Sequence, residues 1–248
     1  MNIVISSVAS TSSQDQATER EAVDGLPIPP PELIDLVACT PDVGWYFQFG
    51  RACFQIMREI LEKHDAPMEE MQRVLEFGCG CARVFRYWHK VNGPVAYGCD
   101  RDPKMVTWCQ QSLPFGRYYL SELEPPSAYE AETFDFVYSI AVFTHLSELL
   151  QLRWMNELRR VLKPGGYLLL STHGASYRHT LSASEQKLFD GGHVVVRDAE
   201  GAGTNQCGTY HPESYIRTKL AQGYRVVDFI QAHTREFIYH DLSLLSKG

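Results

Sequence analysis

The 248-residue sequence has no run approaching the roughly 18 apolar residues of a membrane-spanning helix, so no span is expected. It has no C-x-x-C pair. Its seven cysteines (39, 53, 79, 81, 99, 109 and 207) are scattered, mostly inside apolar runs, which argues against a zinc ribbon or a dithiol site and for buried free thiols in a reducing compartment. Basic charge is not in excess: 23 Lys and Arg stand against 30 Asp and Glu, a net −7, so a broad electrostatic grip on nucleic acid is not expected. No lysine or arginine precedes the mildly apolar Met1–Ala9, and Ser10–Glu21 is polar, so residues 1–25 read as a disordered tail rather than a secretory signal. There is no N-x-[ST] sequon and no repeat of solenoid period. These absences lead us to expect a cytoplasmic protein whose partners are neither nucleic acid nor membrane.

What is present is the composition of an ordinary folded chain, 44% hydrophobic and 21% charged, which excludes a disordered polypeptide. Residues 26–70 form a lead-in. Consecutive prolines in Leu26–Pro31 forbid interior helix and predict an extended arm, followed by an amphipathic helix over Arg51–His64 with Phe54, Met57 and Leu61 on one face. From residue 71 short apolar runs alternate with helical segments. Strands are predicted at Arg73–Phe77, Val95–Cys99, Arg117–Leu120, Phe134–Ala141 and Tyr167–Thr172, and helices at Arg83–Val91, Pro103–Gln111 and Ser147–Leu162. Asp102 before Pro103 is a cap and first-turn signal. An irregular insertion occupies 175–211, with a short helix near Ser184–Phe189, and a further helix is predicted over Pro212–Gln222. Tyr224–Ile230 and Glu236–Leu245 then follow with no helix between them, a hairpin that places one antiparallel strand in an otherwise parallel sheet.

Two stretches carry the chemistry. Gly78-Cys79-Gly80 follows the first strand, where glycines admit a ligand close to the backbone and the next helix would present its positive end. Asp100, twenty-four residues after Glu76, ends the second strand and is placed to accept from two ribose hydroxyls. Together they describe a site for an adenosine-containing cofactor. A dinucleotide site wants G-x-G-x-x-G, whereas here Arg83 stands at the third position, and Glu76 near the loop would repel a pyrophosphate while welcoming an ammonium. Cys79 and Cys81 lack the further ligands a metal needs, and no metal is expected.

Glu76-Phe-Gly-Cys-Gly80, Asp100, Phe134–Ser139 and Leu162-Lys-Pro-Gly-Gly166, in this order and spacing, resemble the motifs of the class I S-adenosylmethionine-dependent methyltransferases. The resemblance covers about residues 70–174, and the closing helix–strand–strand matches the end of that family's fold. It implies a Rossmann-like α/β domain over 71–248 with seven strands in the order 3-2-1-4-5-7-6, strand 7 antiparallel. It further implies S-adenosylmethionine as cofactor, with Gly78, Cys79 and Gly80 facing its methionine part and Glu76 near its ammonium. Asp100 would hold the ribose, Arg101 would flank the adenine, and Glu122 and Leu123 would take the place after the third strand where an acid accepts from the adenine amine. Ser139 and Ile140 would lie under the methionine and sulfonium. Ala82 stands where the family commonly has a third glycine.

The acceptor is expected to be a small molecule methylated on oxygen or nitrogen, because the chain lacks a nucleic-acid module and its insertion is short. His145, His173 and His211 are the candidate bases, and Tyr46, Arg51, Phe143, Tyr177 and Tyr210 the candidate substrate contacts. Two other readings stay open: an NAD(P)-dependent oxidoreductase, which the glycine pattern disfavours, and a non-catalytic scaffold, which would have no need of Glu76, Gly78, Gly80 and Asp100.

Overall fold

The computed structural model describes residues 24–232 and 239–248. Residues 1–23, which hold nearly all of the expected tail, lie outside it, as does Glu236, the predicted start of the last strand. The seven cysteines are free; six are buried and Cys39 is exposed, against the expectation that the thiols are buried.

The chain enters through Leu26–Pro30 and forms α1 (Pro31–Ala38), a helix missing from the sequence reading. Pro31 occupies the first helical turn, where its absent N–H costs nothing, so the proline run starts a helix instead of forbidding one. The second helix, α2 (Val43–Lys63), starts eight residues earlier than predicted because Asp42 caps it, accepting from the Trp45 N–H at 3.0 Å.

The central sheet contains β1 (Arg73–Phe77), β2 (Val95–Asp100), β3 (Arg117–Leu120), β4 (Phe134–Ser139) and β5 (Leu162–Thr172). Helices α3 (Pro103–Ser112) and α4 (Glu148–Val161) provide two of its crossovers, and Asp102 caps α3 at the Lys104 and Met105 amides as its position predicted. The insertion folds as α5 (Ala183–Asp190) and a two-stranded ribbon of β6 (Val195–Arg197) and β7 (Gly208–Tyr210). A short α6 (Glu213–Tyr215) runs into a wide turn at Ile216–Leu220, and β8 (Tyr224–Ile230) and β9 (Asp241–Lys247) close the fold. The sheet order is β3-β2-β1-β4-β5-β9-β8, with β9 antiparallel to both neighbours. Because β6 and β7 stand apart, β8 and β9 are the sixth and seventh strands of the main sheet, and the expected order is the observed one.

Strand side chains alternate between two cores, as a sheet covered on both faces requires. Val74, Phe136, Tyr138, Leu169 and Leu244 pack with α2, while Leu75, Phe77, Val137, Leu168 and Leu245 pack with α4 and Tyr215. The segment predicted as a helix over Arg83–Val91 instead makes a tight 3₁₀ coil at Phe85–Lys90. Phe85, Arg86, Tyr87 and Trp88 are all buried, so the segment has no solvent face for an amphipathic α-helix to present. The regular helix end expected behind the glycine loop is therefore absent.

Candidate active site

Sheet order sets the layout. The carboxyl ends of β2, β1, β4 and β5 and the entry to β9 lie side by side, so Asp100 and His240 are four strand spacings apart, about 19 Å at the usual separation. A cavity of about 740 Å³ runs along this edge, within the range of ligand sites.

At the β1 end, Gly78 and Gly80 have φ of +80° and +52°. A Cβ on Gly78 would lie 2.2 Å from Val142 Cγ2, and one on Gly80 would lie 2.8 Å from Val37 Cγ2, so glycine is needed at both. The loop is fastened to β2: the Gly78 and Cys79 amides donate to the Cys99 carbonyl at 2.8 and 2.9 Å, and the Gly80 amide donates to Asp100 Oδ2 at 2.8 Å. Asp100 Oδ1 accepts from the Asp102 amide at 2.9 Å. Burial raises the Asp100 pKa above the ordinary carboxylate range despite these bonds. Two carboxylate oxygens at the cavity wall can accept from a ribose diol, and the glycine cradle beside them leaves room for a methionine chain, so these residues fit an S-adenosyl cofactor.

Gly78, Gly80, Asp100, Arg101, Glu122, Leu123 and Ile140 line the cavity together, as the sequence placed them. Three expected cofactor residues do not line it. Cys79 points its buried thiol at the Gly80 carbonyl, and Ser139 donates its hydroxyl to the Phe77 carbonyl at 3.0 Å, tying β4 to β1. Glu76 faces the α2 core, where Oε2 accepts from the Tyr138 hydroxyl at 2.9 Å and Trp88 Nε1 donates to that same hydroxyl at 2.8 Å. Burial, opposed in part by the Tyr138 bond, pushes the Glu76 pKa up to about 8. Glu76 thus lies in the core beneath the loop and outside the cavity wall, where burial favours its protonated form.

The far end holds His145, His173 and Tyr177, as expected, and also His240, Trp45, Phe49 and Arg83. His145 Nδ1 lies 2.8 Å from the Cys207 carbonyl, which accepts only, so Nδ1 carries a hydrogen toward it and Nε2 is the ring nitrogen outside this bond. The His173 ring lies 4.2 Å from Tyr177, 4.7 Å from His240 and 6.4 Å from His145, centroid to centroid. Burial, reinforced by His145, lowers the His173 pKa to about 4. His240 Nδ1 is 3.2 Å from Ser171 Oγ, which accepts from the Ala141 amide, and burial holds this imidazole neutral as well.

The structure corrects the remaining candidates. His211 is wholly buried away from the cavity, with Nε2 2.9 Å from Gln151 Oε1 and its pKa lowered to about 3 by burial. Its side chain braces α4, and it has no access to a substrate. Tyr46 is equally buried and donates to the Cys81 carbonyl at 2.7 Å. Phe143 packs against Phe77 in the α4 core. Arg51 is an exposed α2 residue outside the cavity wall, and Tyr210 stands behind His173, ring to ring at 5.3 Å. The walls that sequence reasoning missed are Leu36–Cys39 of α1, Gly203–Asn205 of the insertion and His240. Arg83 was visible as the residue that spoiled a dinucleotide motif, and its own place in the wall went unread.

The chain also resembles known proteins. Residues 75–170 match the family model described as a methyltransferase domain. The malonyl-[acyl-carrier protein] O-methyltransferase of Salmonella typhimurium is 28% identical over 132 residues, 50% of this chain and 51% of that protein. The enzyme of that name from Enterobacter lignolyticus is 29% identical over 109 residues, covering 44% and 42% of the two chains. The chain thus spans about half the length, or less, of these curated relatives. Among solved structures, an S-adenosylmethionine-dependent methyltransferase from Mesorhizobium loti superposes with a TM-score of 0.55 at 16% identity, covering 74% of this chain and 94% of that one. The N-methyltransferase NodS from Bradyrhizobium japonicum gives 0.52 at 16% identity, covering 81% and 97%. Motif order, sheet topology and the family match agree: residues 75–170 match a methyltransferase domain, within a fold shared with S-adenosylmethionine-dependent methyltransferases of known structure.

Proposed function

We propose that the protein transfers the methyl group of S-adenosylmethionine to an oxygen or nitrogen of a small-molecule acceptor. The observation that carries this reading is the single cavity that joins Asp100 at one end to the imidazoles of His145, His173 and His240 at the other. Gly78 and Gly80 would hold the methionine part, Asp100 the ribose, and Arg101, Glu122 and Leu123 the adenine. When bound, the cofactor supplies an already activated methyl electrophile.

The chain's own work is alignment, exclusion of water and handling of one proton. His145 Nε2, outside the bond to Cys207 and on a residue of the cavity wall, is the base we assign for an acceptor that must lose a proton, a role worth ~10²–10⁴-fold. His173, which burial holds neutral, lies beside it. Tyr177, Trp45 and Phe49 give the acceptor apolar walls, and α1, within the lead-in 26–70, covers one side of the site. The name of the curated relatives favours oxygen as the methylated atom. No described helix is long and apolar enough to cross a membrane.

Calorimetric titration with S-adenosylmethionine, S-adenosylhomocysteine and NAD tests the reading. Micromolar binding of the first two, lost in Asp100→Ala, is the expected result. Binding of NAD alone would replace it with an oxidoreductase, and binding of none would leave a scaffold.

A further inference from the structure

Arg83 is a buried cation that the described residues leave without a counter-charge. It is 6% exposed, lines the cavity, and forms no hydrogen bond or ion pair with a described residue; its Nε is buried with no partner. Arg86, three residues on and equally buried, shows the ordinary solution, pairing with both carboxylate oxygens of Asp24. Arg83 has aromatic faces instead. Its guanidinium carbon lies 4.1 Å from the Phe49 ring centroid and 5.4 Å from that of Trp45. Such contacts steady a cation but supply no anion.

The surrounding titratable groups do not supply one either. Those acting on Arg83 most strongly are Cys53, Tyr46, Cys81 and Glu76. Burial pushes both thiols up to about 12, raises Tyr46 well above its ordinary range and holds Glu76 at about 8. All four keep their protons at neutral pH. His240, also in the field of Arg83, is held neutral by burial, with His173, Arg83, His145 and His211 all opposing its protonation. Among the described residues, the far end of the cavity therefore carries one uncompensated positive charge. A buried charge left unpaired is destabilising, so the arrangement is most stable when a ligand brings the missing anion.

The guanidinium has a definite place in the cavity wall. Phe49, the ring beneath the guanidinium, shares an apolar recess with His240, Leu169 and Leu242, toward β5 and β9 and away from Asp100 on β2. A planar guanidinium fork suits a carboxylate in two-point contact, and the flanking rings suit an apolar body. We propose that Arg83 is the receptor for a carboxylate of the acceptor, which is accordingly a small carboxylic acid with an apolar body seated against Trp45, Phe49 and Tyr177. This rests on the methyltransferase reading and names the substrate class for that same site.

The test uses the full-length protein saturated with S-adenosylhomocysteine and titrated with hexanoate, phenylacetate and their primary amides. The acids should bind at least tenfold more tightly than the amides, a comparison that needs no variant. In Arg83→Gln the preference should vanish while S-adenosylhomocysteine affinity stays within twofold of wild type, and Arg83→Lys should restore part of the preference. Equal binding of acids and amides, or no binding of either, overturns the proposal. So does a tenfold loss of S-adenosylhomocysteine affinity in Arg83→Gln with the acid preference intact, because the guanidinium would then serve the carboxylate of the cofactor. Failure of S-adenosylhomocysteine to bind the wild type at all is a separate result and would bring down the methyltransferase reading itself.

Discussion

The Gly80 amide donates to Asp100 Oδ2 at 2.8 Å, so the acid at the end of β2 and the glycine turn after β1 form one unit. Asp100 thus shapes the loop and, in the function proposed above, also receives the ribose. Asp100→Asn keeps one acceptor oxygen, enough for one of the Gly80 and Asp102 amides, and removes the charge, while Asp100→Ala removes both acceptors and charge. Each should weaken S-adenosylmethionine binding by roughly 1–3 kcal/mol, and the alanine variant should in addition melt at lower temperature. Calorimetry with thermal melts separates the two effects; full affinity in a folded Asp100→Ala protein would take this residue out of the site.

Glu76 sets a pH dependence of stability. Its folded pKa, about 8, lies above the ordinary 4.5, so the folded state holds this proton more tightly than the unfolded chain does. The stabilisation is complete below pH 4.5 and is lost as pH rises toward 8, with a slope that approaches ~1.4 kcal/mol per pH unit. Glu76→Gln cannot ionise yet can still accept from Tyr138. Its stability relative to wild type should rise steadily from pH 5 to 9 in denaturant titrations, and a constant difference would show that Glu76 does not titrate in that window.

His211 has the opposite sign. Burial lowers its pKa from 6.5 to about 3, so its contribution is full above pH 6.5 and declines as pH falls toward 3. Substituting His211→Ala strips Gln151 Oε1 of its partner and should cost about 1–3 kcal/mol at pH 7. The gap to wild type should narrow on acidification, and S-adenosylhomocysteine affinity should be unaltered. A selective loss of cofactor binding would mean that this imidazole reaches the site after all.

Ala82 has φ of +65°, a left-handed conformation that costs a residue with a Cβ about 1–2 kcal/mol. Ala82→Gly relieves it, against a smaller entropic loss in the unfolded chain, and should raise the melting temperature by a degree or more. A lower melting temperature would show that the buried methyl group contributes more through packing than its backbone costs.

The sheet was legible because each parallel strand ends in a residue with its own signal: Gly78 after β1, Asp100 on β2, Gly165 and Gly166 entering the main part of β5. The cofactor end of the site follows from those strand ends, which is why Gly78, Gly80, Asp100 and Ile140 were found together. The acceptor end is built differently. His240 enters from the far edge of the sheet, α1 arrives from the proline-rich lead-in, and Gly203–Asn205 come from an insertion without periodicity. No local pattern announces that such segments meet. The aromatic candidates failed for a related reason: Tyr46 and Phe143 look like pocket walls in sequence, but hydrophobic packing drew them into the cores. Glu76 and His211 failed because a polar residue with one good internal partner tolerates burial that its type alone would not suggest.

Three hydrogen bonds join segments of the cavity wall across the insertion. Arg101 donates to the Gly203 carbonyl at 2.8 Å, the Gly203 amide donates to the His145 carbonyl at 2.7 Å, and Asn205 donates to the Leu36 carbonyl at 3.0 Å. They tie the insertion to α1 and to the segment after β4, and each is worth only about 1 kcal/mol. Such a clasp bears on time more than on affinity. A cofactor that must wait for it to part enters more slowly than diffusion allows and leaves more slowly still, so the product cofactor would remain in place after the acceptor had gone. Turnover would then be paced by the unfastening of a surface loop, and loosening Asn205 would hasten entry and exit together while leaving their ratio nearly unchanged.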